Sequence, residues 1–344
     1  MHLVTGGSGF LGNLIVKRLV AKGEKIKVLD IWDSPDRPKE ANFINADIRD
    51  RTAVAKAMEG VTMVHHNVAL VPLTKSGTKF WEVNVEGAEI AAEEAAKAGV
   101  KSFIHMSSSA LYGTPECPIT NDSKIEPIEI YGKGKLEGEL RVRKICEAKG
   151  MDLVVIRPRT ILGEGRLGIF QILFDWIKDN ANIFVIGDGN IPFQFVHAHD
   201  LMDLYMLAIE KNEPGVYNVG TPYFETLRGD LEKLIEYAGS KSKVKGLPIG
   251  LTIQTLKLLD KTGLSPLAPW HYLTYHKAFY FDTTPLTDLG WKPKYSNIEM
   301  FKESYDWFLA NYDKNREVPE GASAHRKSVK EGALKIAKRM SRLV

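Results

Sequence analysis

The 344-residue chain predicts an α/β fold, a doubly wound parallel sheet with a smaller C-terminal lobe. Three observations carry that expectation. Short apolar, β-rich runs alternate with segments of helical spacing as far as Pro158. A glycine-rich turn joins the first of these strands to the first helix. Beyond Pro158 the alternation gives way to Gly/Pro-rich connections, ILGEGRLG, VIGDGNIP and NVGTPYF.

In chain order, HLVT reads as a buried strand and runs through TGGSGFLG into a helix over 11–22. The strands KIKVLD (25–30) and NFINAD (42–47) follow, then a helix over 52–58, the strand VTMVHH (61–66) and a helix over 83–98. KSFIHMSS (101–108) is the next strand, followed by a helix over 131–149 and the strand DLVVIRP (152–158). Each helical stretch repeats its apolar residues every three or four positions, and each strand is rich in β-branched and aromatic residues. Strands joined through helices run parallel, so a ligand belongs at their carboxyl ends. FVHAHDLMDLYMLAIEK (195–211) reads as one more strand and helix of the same unit. Residues 1–158 and 193–214 are therefore expected to form the sheet domain, and 159–192 and 215–315 the smaller lobe. A basic amphipathic tail, 316–344, spaces Val329, Ala333, Ile336, Met340 and Leu343 three or four residues apart among Lys330, Lys335, Lys338, Arg339 and Arg342. It reads as a frayed surface helix, or as a dock for an acidic membrane surface or a partner subunit.

Composition excludes several classes. With 46 Lys+Arg against 43 Asp+Glu, the net charge of +3 is too small for a nucleic-acid binder of this size. Two cysteines, Cys117 and Cys146, build no disulfide framework and imply a reducing compartment. His197-Ala-His199-Asp200 is the one run resembling a metal site, but its strand-into-helix setting favours a structural role, and no metal is expected. MHLVT already reads as strand, which leaves no room for a signal or transit peptide. The apolar stretch LPIGLTIQTLKLL (247–259) is short of the ~20 residues that span a bilayer. The expectation is a soluble, cytoplasmic protein.

The glycines of TGGSGFLG, at 6, 9 and 12, let a pyrophosphate approach the backbone at a helix N-terminus, beside Phe10 and Leu11. Asp30 ends the second strand, where a carboxylate accepts hydrogen bonds from ribose hydroxyls and repels a 2′-phosphate. The cofactor expected is therefore NAD. Asp47-Ile48 would meet the adenine edge, and the small residues around Asn67-Val68-Ala69 would let the fourth strand approach the cofactor.

Tyr131 and Lys135 are four residues apart in EIYGKGKLEGE and share a helical face. Tyrosine, with an unperturbed pKa of ~10, needs a neighbouring cation to act as a base near neutrality. Ser107-Ser108-Ser109 ends the preceding strand, where a hydroxyl can hold a substrate oxygen toward that tyrosine.

With these residues in place, the sequence resembles the extended short-chain dehydrogenase/reductases, the NAD-dependent epimerase/dehydratase family, whose sheet is of the Rossmann type. The matching landmarks are TGGSGFLG, Asp30, DIRD (47–50), VHHNVA (64–69), NVEG (84–87), SSSALYG (107–113), YGKGK (131–135), IRP (156–158), FVHAHDL (195–201) and DLGWKP (288–293). They cover the chain to about residue 310. The resemblance implies catalysis by Ser108, Tyr131 and Lys135, with Ser107 and Pro158 beside the cofactor, Asn84 supporting the site backbone and Lys135 on the nicotinamide ribose. It also implies a smaller lobe that binds substrate, and a homodimer through helices 83–98 and 136–149, for which Ala91-Ala92 and Ala95-Ala96 hint at close packing.

Three reactions share this machinery. Dehydratases carry an Asp-Glu pair where Ser109-Ala110 stand, so elimination lacks its acid. Sugar-nucleotide 4-epimerases need only the Ser/Tyr/Lys set. They often have an asparagine where Thr160 stands and an arginine where Phe193 stands, and Arg159 and Arg166 supply replacement charge. Ser108, Ser109, Arg159, Thr160, Arg166 and Phe193 are therefore the expected substrate contacts. The reading favoured is an NAD-dependent epimerase of a nucleotide-activated sugar. A 3β-hydroxysteroid or dihydroflavonol-like alcohol dehydrogenase is the alternative, suited by the apolar stretch 247–273, and a non-catalytic NAD-binding module is a minor one.

Overall fold

The computed structural model describes residues 1–71, 79–166, 168–211, 213–262, 267, 269–313, 338 and 341. The first half is strand β1 (His2–Thr5), helix α1 (Phe10–Ala21), β2 (Ile26–Asp30), β3 (Asn42–Asn45), α2 (Arg51–Ala57) and β4 (Met63–His66). Helix α3 (Lys79–Trp81) continues through a π-helical turn, Glu82–Glu86, into α4 (Gly87–Lys97). Strand β5 (Ser102–Met106), a 3-10 turn at Ser109–Tyr112, α5 (Ile130–Lys149) and β6 (Asp152–Pro158) complete it. The second half runs β7 (Ile161–Leu162), α6 (Phe170–Lys178), β8 (Ile183–Ile186), β9 (Val196–His197), α7 (Ala198–Lys211) and β10 (Gly215–Val219). Then come α8 (Leu227–Tyr237), β11 (Val244–Leu247), α9 (Ile249–Lys261), α10 (Pro269–Thr274), α11 (Thr284–Asp288) and α12 (Asn297–Ala310).

Seven strands form the expected doubly wound sheet, ordered β10-β6-β5-β4-β1-β2-β3. Every pairing in it is parallel, with Val4 of β1 opposite Val28 of β2 on one side and His65 of β4 on the other. The chain winds outward in both directions from β1 and β4, so a crevice opens at their carboxyl ends. Both faces are covered, which is why β1 is buried at each residue. Leu3 packs toward α2, α4 and α5 among Met58, Ala91 and Val142. Its neighbour Val4 packs on the opposite face with Ile15 of α1 and Leu201 of α7, as the two-residue period of a strand requires. A third core, rich in phenylalanine, holds the smaller lobe together around Phe170, Phe174, Phe195, Phe301 and Phe308.

Two expectations are corrected. NVGTPYF begins inside β10, which pairs with β6 as the seventh strand of the central sheet, so the first residues of 215–315 do not belong to the smaller lobe. β9, read as a strand of the sheet domain, pairs instead with β7 outside the central sheet. In both places a strand of only two to five residues carries too little pattern to declare its partner. The alanines thought to hint at a subunit contact are mostly spent within the chain, since Ala91, Ala92 and Ala95 are fully buried in the sheet core.

Most of the tail, 316–337, 339–340 and 342–344, lies outside the described residues. Lys338 and Ser341 are described, and both are buried. The Lys338 ammonium pairs with Asp175 of α6 and, at 2.9 Å, with Asp179, and the Ser341 carbonyl accepts the Asn182 amide at 2.9 Å. Lys338 therefore does not stand on a free basic face. No helix among the described residues is long and apolar enough to cross a membrane.

Candidate active site

The glycine turn is fixed by close packing. Gly6 has φ +70°, and a Cβ added at Gly12 would lie 2.0 Å from the Gly6 carbonyl oxygen. Only glycine lets β1 turn this tightly into α1. Gly9 caps α1 with no side chain, so the N–H groups of the first turn have no side-chain partner there and carry the positive end of the helix dipole. Asp30 braces the turn, its Oδ2 accepting the Ser8 N–H at 3.0 Å and its Oδ1 the Ile31 N–H at 2.8 Å. Burial raises its carboxyl pKa, and those backbone hydrogen bonds pull the other way.

Asn67 and Ala69, at the end of β4, line the cleft beside the glycine turn. Val68 passes over Gly6, where its N would meet an added Cβ at 2.9 Å. Asn84, carried on the π-helical turn, clamps this segment, accepting the Leu70 N–H at 2.7 Å and donating to the Leu70 carbonyl at 3.0 Å. A π-turn inside a helix often marks such a functional demand. Asp47 is already engaged by Arg49 at 2.7 Å, and Ile48 is buried against Gly87. Neither side chain lines that cleft.

Glu129 caps α5 by accepting the Tyr131 and Gly132 N–H groups at 2.8 and 2.6 Å. A Cβ at Gly132 would stand 2.5 Å from the Ala110 carbonyl oxygen, so the glycine lets α5 press on the 3-10 turn that Ser108 caps. That contact brings Ser108 and Tyr131 together in the cleft lining. Burial raises the Tyr131 pKa, while the Ser108 hydroxyl and the Arg166 charge lower it. One turn on, the Lys135 ammonium donates to the Met106 carbonyl at 2.8 Å. Burial pulls its pKa down to about 8, against the charge of Glu139.

A closed network lies behind this pair. Glu139 accepts the Ser107 hydroxyl at 2.7 Å and Arg157 Nε at 3.0 Å, with Arg157 Nη2 on its other oxygen. Arg157 Nη1 donates to the Tyr112 hydroxyl at 2.7 Å, which donates in turn to Asn218 of β10 at 3.0 Å. Arg157 holds Glu139 below the usual carboxylate range despite its burial. No spacing rule in the sequence singles out Glu139 or Asn218.

Across the cleft, of about 240 Å³, stand Arg159, Thr160 and Arg166 with Trp270 and Tyr275. Arg159 is 1% exposed, and burial lowers its pKa to about 9. Arg166, donating to the Ile161 carbonyl at 3.0 Å, is lowered by burial to about 10. Phe193, expected at the substrate, is corrected: it is fully buried, packs on Tyr275 at 4.8 Å and does not line the cleft. Trp270 and Tyr275 were not anticipated as site residues, because an aromatic-rich run inside an apolar stretch carries no spacing signal. His197 and His199 make no metal site: His197 bonds Glu303 at 2.6 Å and stacks on Tyr295 at 3.6 Å, while Asp200 accepts backbone N–H groups from Lys294 and Tyr295. Among the described residues no cluster could hold a metal ion.

Comparison with known proteins gives a consistent picture. The sequence model of the NAD dependent epimerase/dehydratase family matches residues 2–220. An uncharacterised protein of Sinorhizobium fredii is 39% identical over 99% of this chain and 86% of its own length. A UDP-glucose 4-epimerase of Lactobacillus helveticus is 29% identical over 86% of this chain and 93% of its own. Among solved structures, UDP-glucose 4-epimerase of Thermotoga maritima with UDP-glucose superposes with a TM-score of 0.74 at 23% identity, covering 91% of this chain and 99% of that one.

Proposed function

The chain belongs to the NAD dependent epimerase/dehydratase family, and from that premise we propose that it is an epimerase of a nucleotide-activated sugar. The cofactor of the family is NAD. The residues present suit it: a Cβ at Gly12 would fill the turn, α1 offers uncapped N–H groups to a pyrophosphate, and Asp30 offers a carboxylate to ribose hydroxyls.

One observation carries the choice of substrate. Lys135, Arg159 and Arg166 line the cleft, and no aspartate or glutamate does so among its described lining residues. An unbalanced positive cleft favours an anionic substrate, and the diphosphate of a nucleotide sugar supplies such charge. A neutral sterol or flavonoid would leave the buried Arg159 guanidinium and the partly buried Arg166 without counter-charge. Dehydration is disfavoured because Ser109 and Ala110 provide no acid beside the reacting centre.

Held by the α1 turn and Asp30, NAD would supply the hydride acceptor and donor for transient oxidation of a carbinol to a ketone. Tyr131 removes the hydroxyl proton and later restores it. Ser108 holds the oxygen that changes between alcohol and ketone. Arg166 places positive charge near the phenol, which favours the phenolate that burial alone would oppose. Arg166 is the residue assigned to the diphosphate.

A second reading, an alcohol dehydrogenase of apolar substrates, draws on Ile169, Phe170 and Trp270 in the cleft wall. Enzyme purified with its NAD and incubated with UDP-, GDP- and CDP-sugars separates the two. Interconversion of an epimer pair without net NADH is expected, and NADH accumulating in proportion to an alcohol would overturn the epimerase reading.

A further inference from the structure

Arg157 and Arg159 stand two residues apart at the end of β6, and both side chains are buried, at 4% and 1% exposure. The fold neutralises the first completely through Glu139 and Tyr112. It leaves the second without a carboxylate among the described residues. Arg159 Nε donates to the Gln194 carbonyl at 3.0 Å and Nη1 to the Ser109 hydroxyl at 3.3 Å. Nη2 is buried and has no hydrogen-bond partner among the described residues. A buried charge with an unused donor is costly unless something else supplies the counter-charge. Because Arg159 lines the cleft, that counter-charge comes with the ligand.

The setting selects the kind of anion. The guanidinium carbon lies 3.9 Å from the Phe279 ring centroid and 5.0 Å from that of Phe193. Held by these rings and by two hydrogen bonds, the group has little freedom to follow a flexible diphosphate. Its remaining donor, together with the hydroxyls of Ser109 and Thr160, suits a compact planar oxyanion. Location points the same way. Ser109, which accepts from Arg159, follows Ser108, and both line the cleft with Tyr131, so Arg159 borders the reacting end of the cleft, where the sugar ring and not the nucleotide belongs. In a pyranose uronate the carboxylate is carried on the carbon next to the C4 carbinol.

We propose that Arg159 is the counter-ion for a carboxylate on the substrate's sugar ring, so that the enzyme acts on a nucleotide-activated uronic acid or a similar acidic sugar. This inference rests on the nucleotide-sugar reading above and narrows it. A site whose buried polar group needs a partner discriminates strongly against a substrate that lacks one. Preference for the uronate should therefore reach at least about 100-fold in kcat/KM over the neutral hexose of the same nucleotide.

The test uses the full chain with NAD bound, measuring binding by calorimetry and turnover by NMR. The probes are UDP, UDP-glucose, UDP-glucuronate, GDP, GDP-mannose and GDP-mannuronate. The wild-type protein is expected to prefer one uronate by at least about 100-fold, and Arg159→Gln to reduce that preference to a few-fold with affinity for the free nucleotide unchanged. Arg159→Lys keeps the charge but loses the planar fork, and at least a tenfold fall in preference is expected; it carries the test if Arg159→Gln fails to fold. Equal handling of uronate and hexose by the wild type would overturn the carboxylate proposal. So would an Arg159→Gln protein that loses free-nucleotide affinity as strongly as uronate affinity, because the diphosphate would then occupy Arg159. Failure to bind any nucleotide or nucleotide sugar would instead remove the nucleotide-sugar reading itself.

Discussion

On the α5 wall of the cleft, Glu139, Arg157, Ser107, Tyr112 and Asn218 form a buried chain in which each charge meets its opposite inside the protein. On the facing wall, Arg159 is also withdrawn from water and Arg166 partly so, but their partners are carbonyls, a hydroxyl and aromatic faces. The difference separates two tasks. The closed wall holds Ser108, Tyr131 and Lys135 in fixed relation, and a charge left open there would disturb their pKa values. On the reading proposed above, an anionic substrate completes the open wall, so its electrostatic cost in the free protein becomes affinity in the complex.

Four substitutions or conditions break or sharpen this comparison. The largest effect belongs to Tyr131→Phe, which removes the proton acceptor. Steady-state kinetics should show kcat reduced by about 10²–10⁴-fold with KM changed only a few-fold. Unchanged kcat would detach the phenol from the chemistry. Next comes Glu139→Gln, which leaves Arg157 buried without its counter-charge. Urea unfolding should register a loss of about 3–5 kcal/mol. Because the Glu139 charge holds the Lys135 pKa up, the same variant should also shift the Lys135 limb of the kcat–pH profile to lower pH.

A smaller effect tests how the closed wall depends on pH. His66 and His105 stack at 5.6 Å, and burial lowers the pKa of each well below 6.5, with the charge of Lys135 adding to the effect. The folded protein keeps them neutral, whereas the unfolded chain takes up their protons below about pH 6.5. The unfolded state then binds more protons, so stability falls as pH drops from 7 to 5, approaching about 1.4 kcal/mol per unit for each ring. Both nitrogens of His105 lack hydrogen-bond partners among the described residues. His105→Phe should therefore flatten the slope in urea titrations at the two pH values, and an unchanged slope would remove His105 from the account. The smallest effect is expected on the open wall. Arg159→Met should change the stability of the ligand-free protein by less than about 1 kcal/mol, because it deletes no ion pair. A loss as large as that of Glu139→Gln would show that Arg159 serves the fold.

The contrast also explains what the sequence could disclose. Gly6, Gly9, Gly12, Asp30, Ser108, Tyr131 and Lys135 were legible because each sits at a strand end or at a helical spacing that declares its geometry. The central sheet was legible for the same reason, except β10, whose five residues lie between Pro214 and Gly220. The open wall was not fully legible. It is assembled from residues near 160 and near 270, and no local pattern links two segments that far apart. The resemblance assigns Phe193 to it, as the position where 4-epimerases often carry an arginine, yet the structure places that ring beneath Arg159. The Asp47 carboxylate, which the sequence offers to the adenine edge, pairs with Arg49 two residues on, a contact that no spacing rule declares.

The most direct test of the central claim follows the hydrogen that moves. A nucleotide sugar deuterated at the reacting carbon, incubated with the NAD-loaded enzyme, should yield its epimer with the deuterium retained at that carbon and no NADH released. Deuterium recovered in free NADH, with the substrate left as a ketone, would contradict transient oxidation and make this enzyme a net dehydrogenase.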